Sequence, residues 1–512
     1  MPDRSLANDP GDAAVLVLSG PRLADGRTVD VRLSGGRIEA VGTPGSLSAP
    51  PGQPAPGARG TGQAARLDLT GYLLLPSPAE PHAHHESALT DAPRPPGAWE
   101  VPPPLAGAPR PPGPGGAPPD ASPARLRRRI TEAALVQLGH GATVQRSHVR
   151  IGDVHGLAGL EAALAAGRAL RGLAELTTVA VPRLLTGRAG ADGRALLAEA
   201  AQRGAGAVGG APDLDPDPAG FLDAVLRVAE AHGSAVDLHT DADDPARLAR
   251  LTSAVAAFPS RVTVGPCTGL SRLPPDAAAR AADQLAAADV TVCLLPQGRC
   301  GLLCPGGLAG ARSGPPAGPP GLAALPSAQV PAGPVGAGPA GSGPAGSGLV
   351  GGGLVSGGLV GPAGGGGEAA PPVRLLTAAG VRVAAGSGTL RDAANPVGRG
   401  DPLEAAYLLA SLGGLDPHDA YQAVSAGARA ALGRPEVRIE AGFPAELLAV
   451  RGESVAGALS LAYSRLVIHR GRIVARTSAV REYGGALASG PGRTGRGRAG
   501  QALPRQATGE FT

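Results

Sequence analysis

Two histidines separated by a single residue follow an apolar run near residue 80. The stretch EPHAHHESALT places His82 and His84 directly after GYLLLP. Side chains at alternate positions of a β-strand point to the same side, so both imidazoles face one place. Imidazole is a common ligand of zinc and other divalent metals. The spacing therefore predicts two ligands of a metal site where this strand ends.

The elements that position these histidines alternate between helices and apolar strands from residue 124 to 300. ATVQRSHV, LTTVAVP, AVDLHT, RVTVGPC and VTVCLLP read as strands, and Ala- and Leu-rich helices separate them. The alternation indicates a parallel sheet. Its many repeats, with polar residues after each strand, favour a (β/α)8 TIM-type barrel. The pattern resumes after residue 372, so we expect the barrel to span 76–435.

Short strands bracket the predicted barrel at 14–75 and 436–476. Each set is too small to bury a core alone, so we expect them to pair into one composite β-domain. Long segments at 91–123 and 305–372 are rich in Gly and Pro, and 485–512 is rich in Gly and Arg. Such segments bury too little apolar surface to fold, so we expect disordered insertions and a disordered tail.

The composition excludes several kinds of chemistry. The chain has no lysine, which rules out Schiff-base catalysis, a P-loop and a lysine-carbamate metal bridge. A net charge of +4 without a basic block predicts no nucleic-acid partner. No secretory signal and no apolar window of about 18 residues are visible, so we expect no membrane span and a cytoplasmic location. Cys300 and Cys304 have zinc-like spacing but lack a second Cys or His pair nearby.

The order of these motifs resembles the amidohydrolase superfamily, and within it the cytosine deaminase-like metal-dependent hydrolases. The resemblance covers about residues 14–476 outside the insertions. It is carried by LLLPSPAEPHAHHESALT, GATVQRSHV, AVDLHTD, RVTVGPC, AAGVRVAAGSGTLRDAANPVGRGDPLEAA and IEAGFPAELLAV. No single stretch is decisive, but their sequence and spacing together are specific.

The resemblance implies one divalent metal, zinc or iron, at the mouth of the barrel. The family's His-x-His motif falls on His82 and His84, and its third histidine ligand falls on His239. Arg146 and His148, in VQRSHVR, match a family motif that we assign to substrate binding. The implied activity is hydrolysis of a non-peptide C–N bond in a cyclic amidine or amide by metal-bound water. The implied ligand is a small molecule, with a pyrimidine-like ring as the candidate and a homo-oligomer left open.

Three catalytic positions of the family are substituted. Its proton-shuttling Glu falls on Ala242, its substrate-polarising His on Pro266, and its Asp ligand and general base on Gly388. The nearest carboxylates are Asp241 and Asp392. Loss of a general base alone typically costs 10²–10⁴-fold in rate.

Two functional interpretations remain open. One is an active hydrolase of C–N bonds in a ring or amide, in which Glu86, Asp241 or Asp392 takes over the lost roles. The other is a catalytically inactive barrel that binds a small molecule or associates with an active paralogue. A third, plainer interpretation is a reading frame under relaxed selection. The missing proton-transfer groups favour reduced or absent activity.

Overall fold

The structure is a computed structural model that describes residues 15–47, 65–90, 122–152, 156–297, 372–392, 394–461 and 464–479. The predicted insertions and tail therefore lie outside the described residues, apart from single residues at their edges. Cys300 and Cys304 lie outside them as well. No helix within the described ranges is both long and apolar enough to cross a membrane.

Short strands precede the barrel. Alternating apolar and polar residues form them, and Ser34 pairs with Arg37 across the hairpin that the SGGR turn predicts. The strands are β1 (Leu16–Arg22), β2 (Thr28–Ser34), β3 (Arg37–Gly42), β4 (Ala65–Asp68) and β5 (Tyr72–Pro76).

A second sheet forms the barrel, as the sequence predicts. Its strands lie side by side in chain order, and every strand pair is parallel. The amide of Gly388 donates to the carbonyl of His82, and the amide of His84 donates to the carbonyl of Gly388, which joins the last strand to the first. The strands are β6 (Ala79–Ala83), β7 (Val144–Ile151), β8 (Glu175–Pro182), β9 (Ala207–Gly210), β10 (Ala235–Thr240), β11 (Val262–Pro266), β12 (Thr291–Leu294) and β13 (Arg382–Ala385).

A helix follows each barrel strand. Several begin at a side-chain cap with proline in the first turn, such as Ser122 before α1 and Asp401 before α8. The helices are α1 (Pro123–Gly139), α2 (Ala158–Ala169), α3 (Ala191–Gln202), α4 (Pro218–His232), α5 (Pro245–Val255), α6 (Pro275–Ala287), α7 (Val373–Ala378) and α8 (Pro402–Ser411).

The C-terminal strands join the N-terminal ones in a single sheet, which confirms the composite β-domain. Its order is β16-β15-β14-β5-β1-β2-β3, with β4 against β1. A short helix lies between β14 and β15, where the sequence was expected to hold strands only. The added elements are α9 (Pro417–Gln422), α10 (Ala428–Ala431), β14 (Leu447–Arg451), α11 (Val455–Leu461), β15 (Arg465–His469) and β16 (Arg472–Thr477).

Three consecutive leucines in β5 pack alternately into the core of the barrel and the core of the β-domain. Leu73 and Leu75 belong to the barrel's apolar cluster, whereas Leu74 belongs to the separate core of the β-domain. Successive strand residues face opposite sides, so an uninterrupted apolar run fits a strand buried on both faces. This strand leads directly into β6 and thereby fixes the histidine motif relative to both cores.

Candidate metal centre

Three barrel strands each direct a pair of polar side chains into the barrel. The pairs are His82 on β6 with His84 directly after it, Arg146 with His148 on β7, and Asp237 with His239 on β10. Residues of each pair are two apart, so both members point to one side of their strand. Ala83 lies opposite Ser147 in the register of β6 and β7, which places the flanking histidines side by side.

The four histidines converge into one buried cluster. One ring nitrogen of each lies within 4.8 Å of the corresponding nitrogens of the others. Nε2 of His239 lies 3.1 Å from Nε2 of His82. The ring centroids lie 3.9 to 5.7 Å apart, and each ring is at most 7% exposed. The cluster consists of His82, His84, His148 and His239.

A charged layer lies directly below the histidines. Asp237 accepts a 2.7 Å hydrogen bond from Arg146, and its other oxygen lies 3.2 Å from Nε2 of His148. Arg146 also donates to the carbonyl of Ala431. Such layers in a barrel are usually filled by branched aliphatic side chains. Here a buried ion pair fixes the residues beneath the cluster.

Arg146 and His148, which the sequence motif predicts to bind substrate, are both buried inside the barrel. Arg146 is 4% exposed and its guanidinium is paired with Asp237. His148 lies within the histidine cluster. Their contact with a substrate stays a prediction.

Burial and neighbouring charge lower the pKa of three of these imidazoles, those of His82, His84 and His239. Burial lowers the pKa of His82 and of His84 well below the ordinary value, and positive charge on neighbouring histidines lowers both further. The same causes lower the pKa of His239 to about 3. For Asp237, burial raises the pKa, but attraction from His148 and Arg146 prevails and lowers it to about 2. Neutral imidazoles with free lone pairs are the form that binds metal.

The seam between β13 and β6 is held by Glu80. This carboxylate accepts hydrogen bonds from the amides of His82 (3.0 Å) and Ser387 (2.8 Å), and a short one from the Ser387 hydroxyl. A Cβ at Gly386 would lie 2.5 Å from Oε1 of Glu80, so only glycine permits this approach. Burial raises the pKa of Glu80 to about 7.

Gly388 lies in this seam, at the position where the resemblance implies an aspartate. Its φ of +73° is in the left-handed region that favours glycine. A Cβ built there would contact Leu295 at 3.6 Å. The position contributes backbone hydrogen bonds to the strand that carries His82 and His84, and no carboxylate.

Ala242 and Pro266 lie where β10 and β11 end. Ala242 is 2% exposed, and Pro266 pairs with Thr240 in the strand register. Neither side chain can carry a proton. Whether these positions are catalytic ones stays a prediction.

Asp241, one candidate substitute, is bound to the loop after β11. It accepts hydrogen bonds from the amide of Gly269 (3.0 Å) and the hydroxyl of Thr268, and it pairs with Arg272. Burial raises its pKa, but these contacts prevail and lower it. The carboxylate therefore serves as a hydrogen-bond acceptor that fixes this loop.

Asp392, the other candidate, holds a turn. It accepts hydrogen bonds from the amides of Ala394 (2.9 Å) and Asn395 (3.0 Å) and from the hydroxyl of Ser87 (2.7 Å). It does not belong to the four-residue metal-binding group found among the described residues. The structure does not bring Asp392 into the histidine cluster.

Glu86, the third candidate, contacts the backbone at the end of β7. Both of its oxygens lie 3.2 Å from the amide nitrogen of Arg150. Burial raises its pKa to about 7, while Arg150 and Arg129 lower it by smaller amounts. Its side chain remains 17% exposed.

The donor set fits a divalent metal. Both ring nitrogens of His148, and Nδ1 of His239, have no well-aligned hydrogen-bond partner among the described residues. Buried polar atoms almost always have partners, so nitrogens left unpaired in one cluster indicate a missing ligand. Nitrogen donors suit zinc and iron alike.

A (β/α)8 barrel with histidines at its C-terminal strand ends, joined to a β-domain from both ends of the chain, is the architecture that the sequence motifs imply.

Comparison with solved structures finds the same fold. The chain superposes on 5-methylcytosine deaminase from Klebsiella pneumoniae, liganded with 5-fluorocytosine, with a TM-score of 0.64 and 19% identity, covering 92% of this chain and 100% of that one. It superposes on N-isopropylammelide isopropylaminohydrolase from Burkholderia multivorans with a TM-score of 0.62 and 22% identity, covering 91% and 100%. These likenesses confirm the fold that the sequence predicts.

Sequence comparison reaches a shorter part of the chain. Pterin deaminase from Rhizobium rhizogenes is 33% identical over 96 residues, which are 18% of this chain and 22% of that protein. No protein-family model matches the chain.

Sequence reasoning did not single out Asp237 and did not place His148 beside the other three histidines. The signal for Asp237 was its position two residues before His239 on the same strand, which directs both side chains to the same side. His148 likewise lies two residues after Arg146.

Proposed function

We propose that this protein is a deaminase-type amidohydrolase that holds one divalent metal and hydrolyses C–N bonds of a small ring at a much reduced rate. The observation that supports the proposal is the buried histidine cluster in a barrel of deaminase type. The reduced rate follows from Ala242, Pro266 and Gly388 at the positions that the family uses for proton transfer.

His82, His84 and His239 would hold the metal, which we take to be zinc or iron. A bound divalent metal lowers the pKa of its water and polarises the bond to be cleaved. The chain's own contribution is to present neutral imidazoles at fixed positions and to exclude bulk water from them. Each of the three is at most 7% exposed.

Proton transfer is where the site is deficient. Hydrolysis of a C–N bond needs one group to take the proton of the attacking water and one to protonate the departing nitrogen. Asp241 and Asp392 are held by loop contacts. Losing several members of one catalytic unit is rarely compensated by the rest.

A second candidate function is a barrel that binds a small molecule, or a partner paralogue, without catalysis. The loop contacts of Asp241 and Asp392 favour it, because they leave both carboxylates committed elsewhere. In either case we infer a nitrogen-containing ring as the ligand. The structural neighbours include an enzyme liganded with 5-fluorocytosine, and the matched relative acts on a pterin.

The test combines metal analysis with a deamination screen. Purified protein is analysed for zinc and iron, and ammonia release is measured with pyrimidines, triazines and pterins. We expect about one metal per chain and turnover well below the 1–10³ per second typical of enzymes. The double variant His82→Asn/His239→Asn is the control and should lose the metal and any remaining turnover. Metal-free wild-type protein would overturn the proposal, and turnover in the typical range would restore the fully active interpretation.

A further inference from the structure

We propose that His148 is the fourth protein ligand of the metal, in the role that Gly388 cannot fill. The inference rests on the metal-binding half of the proposed function. It replaces the substrate-binding role that the sequence motif assigns to His148.

The distances place His148 inside the cluster. The metal-binding group among the described residues has four members, all histidines, with donor nitrogens within 4.8 Å of one another. The His148 ring centroid lies 3.9 Å from that of His82, 4.7 Å from that of His239 and 5.4 Å from that of His84. A ring at these distances from all three predicted ligands can share one ion with them.

The His148 ring also has unmet bonding capacity. It is 1% exposed, Nε2 faces Asp237, and Nδ1 has no hydrogen-bond partner among the described residues. An unpaired polar group at this depth is costly unless something binds it. Coordination of a metal would satisfy one nitrogen and leave the other for the carboxylate beside it.

Asp237 and Arg146 act as positioning residues for this ring. Oδ1 of Asp237 lies 3.2 Å from Nε2 of His148, while Oδ2 accepts a hydrogen bond from Arg146. A carboxylate that contacts the second nitrogen of a ligating imidazole fixes its tautomer and orientation. Arg146 compensates the buried negative charge, so the arrangement stays neutral.

One adjustment is needed for all four rings to bind one ion. The rings of His82 and His148 are stacked, with 29° between their planes. Their separation is the shortest among the six pairs of the cluster, so these rings must move slightly apart to bind one ion. Gly388 offers no alternative, because glycine has no side chain that could supply a ligand.

Metal affinity and ligand geometry test the inference directly. Wild type and His148→Asn are depleted of metal and titrated with Zn²⁺ against a chromophoric chelator, and then with Co²⁺ while its visible absorption is recorded. We expect His148→Asn to weaken Zn²⁺ binding by about 100-fold or more. We expect Asp237→Asn to weaken it by the 10–100-fold typical of a residue behind a ligand, while the Co²⁺ band keeps its four-nitrogen shape.

The matched control is His469→Asn. His469 is also a buried histidine facing a carboxylate, with Nδ1 2.9 Å from Glu446, but it lies in the β-domain. Its loss should leave Zn²⁺ affinity and the Co²⁺ spectrum unchanged. X-ray absorption of zinc-loaded wild type makes the test independent of variant folding. It should show four imidazole nitrogens at about 2.0–2.1 Å.

The outcomes separate the two proposals. If wild type binds one zinc and His148→Asn matches its affinity and spectrum, His148 is not a ligand and the proposed function stands. Three imidazoles in the absorption data would lead to the same conclusion. If wild type binds no metal, both proposals fail.

Discussion

The amide nitrogen of Gly388 lies 3.1 Å from the carbonyl oxygen of His82, and this hydrogen bond helps to close the barrel. The residue that cannot supply a metal-binding carboxylate thus holds a predicted metal ligand through its backbone. Its φ of +73° lies in the left-handed region, so a side chain that could bind the metal at this position would strain the backbone.

Gly388→Asp should therefore separate metal binding from catalysis. We expect a loss of about 1 kcal/mol in the free energy of unfolding, because a side chain at this φ is strained. Zn²⁺ should bind more tightly than in Gly388→Ala, which has the same strain without a carboxylate. Turnover should not recover, because Ala242 and Pro266 remain. Urea unfolding, chelator competition and an ammonia assay check these points, and recovery of turnover would contradict the argument.

Glu80 provides a second test of the seam. Glu80→Ala leaves two amides and the Ser387 hydroxyl without their acceptor in a buried position. We expect a loss of about 3 kcal/mol or more, since each unsatisfied buried donor costs about 1–3 kcal/mol. Ser387→Ala, which removes only the hydroxyl, should cost about 1 kcal/mol. Urea unfolding compares the two, and equal losses would show that Glu80 does not hold the seam.

The barrel and the β-domain could be predicted from sequence because each rests on a local pattern. The alternation of helices and apolar strands predicts the barrel, and the apolar run at Leu73, Leu74 and Leu75 predicts a strand buried on both faces. Helix α11 (Val455–Leu461) could not be predicted in the same way. Its seven residues, VAGALSL, are too few and too small to show helical periodicity.

The site was predictable only in part. The motifs indicate His82, His84 and His239 through their positions at strand ends. The position of His148 beside them depends on the register of β6 against β7, which no local pattern specifies. The loop contacts of Asp241 and Asp392 depend equally on segments distant in sequence, so only the structure shows that these carboxylates are engaged.

Those engaged carboxylates lead to a third prediction. Asp241→Asn weakens the contacts to Arg272 and Gly269, and Asp392→Asn weakens those to Ser87 and Asn395. We expect each to lower the free energy of unfolding by about 1–2 kcal/mol. Any residual turnover should change less than threefold, because neither carboxylate transfers a proton. A fall of 10²-fold or more in the turnover of either variant, with folding intact, would identify that residue as the replacement acid or base.

A fourth prediction concerns the ion pair that joins the two domains. Arg465 on β15 donates hydrogen bonds of 2.8 and 2.6 Å to the two oxygens of Asp401, which also caps α8. Asp401→Asn keeps a good cap but removes the carboxylate charge that faces Arg465. We expect the free energy of unfolding at pH 7 to fall by about 3 kcal/mol.

The pH dependence of this effect has a definite sign. Burial raises the pKa of Asp401, but hydrogen bonds and charge from Arg465 prevail and hold it below its ordinary value of 3.8. The folded state thus binds this proton more weakly than the unfolded chain does. The ion pair's contribution is complete above about pH 4 and is lost as the pH falls through the folded-state pKa. The stability difference between wild type and Asp401→Asn should therefore shrink below pH 4.

Asp416→Asn is the control for this comparison. Asp416 caps α9 by accepting a 2.8 Å hydrogen bond from the amide of His418, in an exposed position. Asparagine caps about as well as aspartate, so this variant should change stability by less than about 0.5 kcal/mol at pH 7. Urea unfolding of all three proteins at pH 7, 5, 4 and 3 makes the test. An Asp401→Asn effect that equals the Asp416→Asn effect at pH 7, or that stays constant down to pH 3, would show that the pair with Arg465 does not hold the β-domain to the barrel.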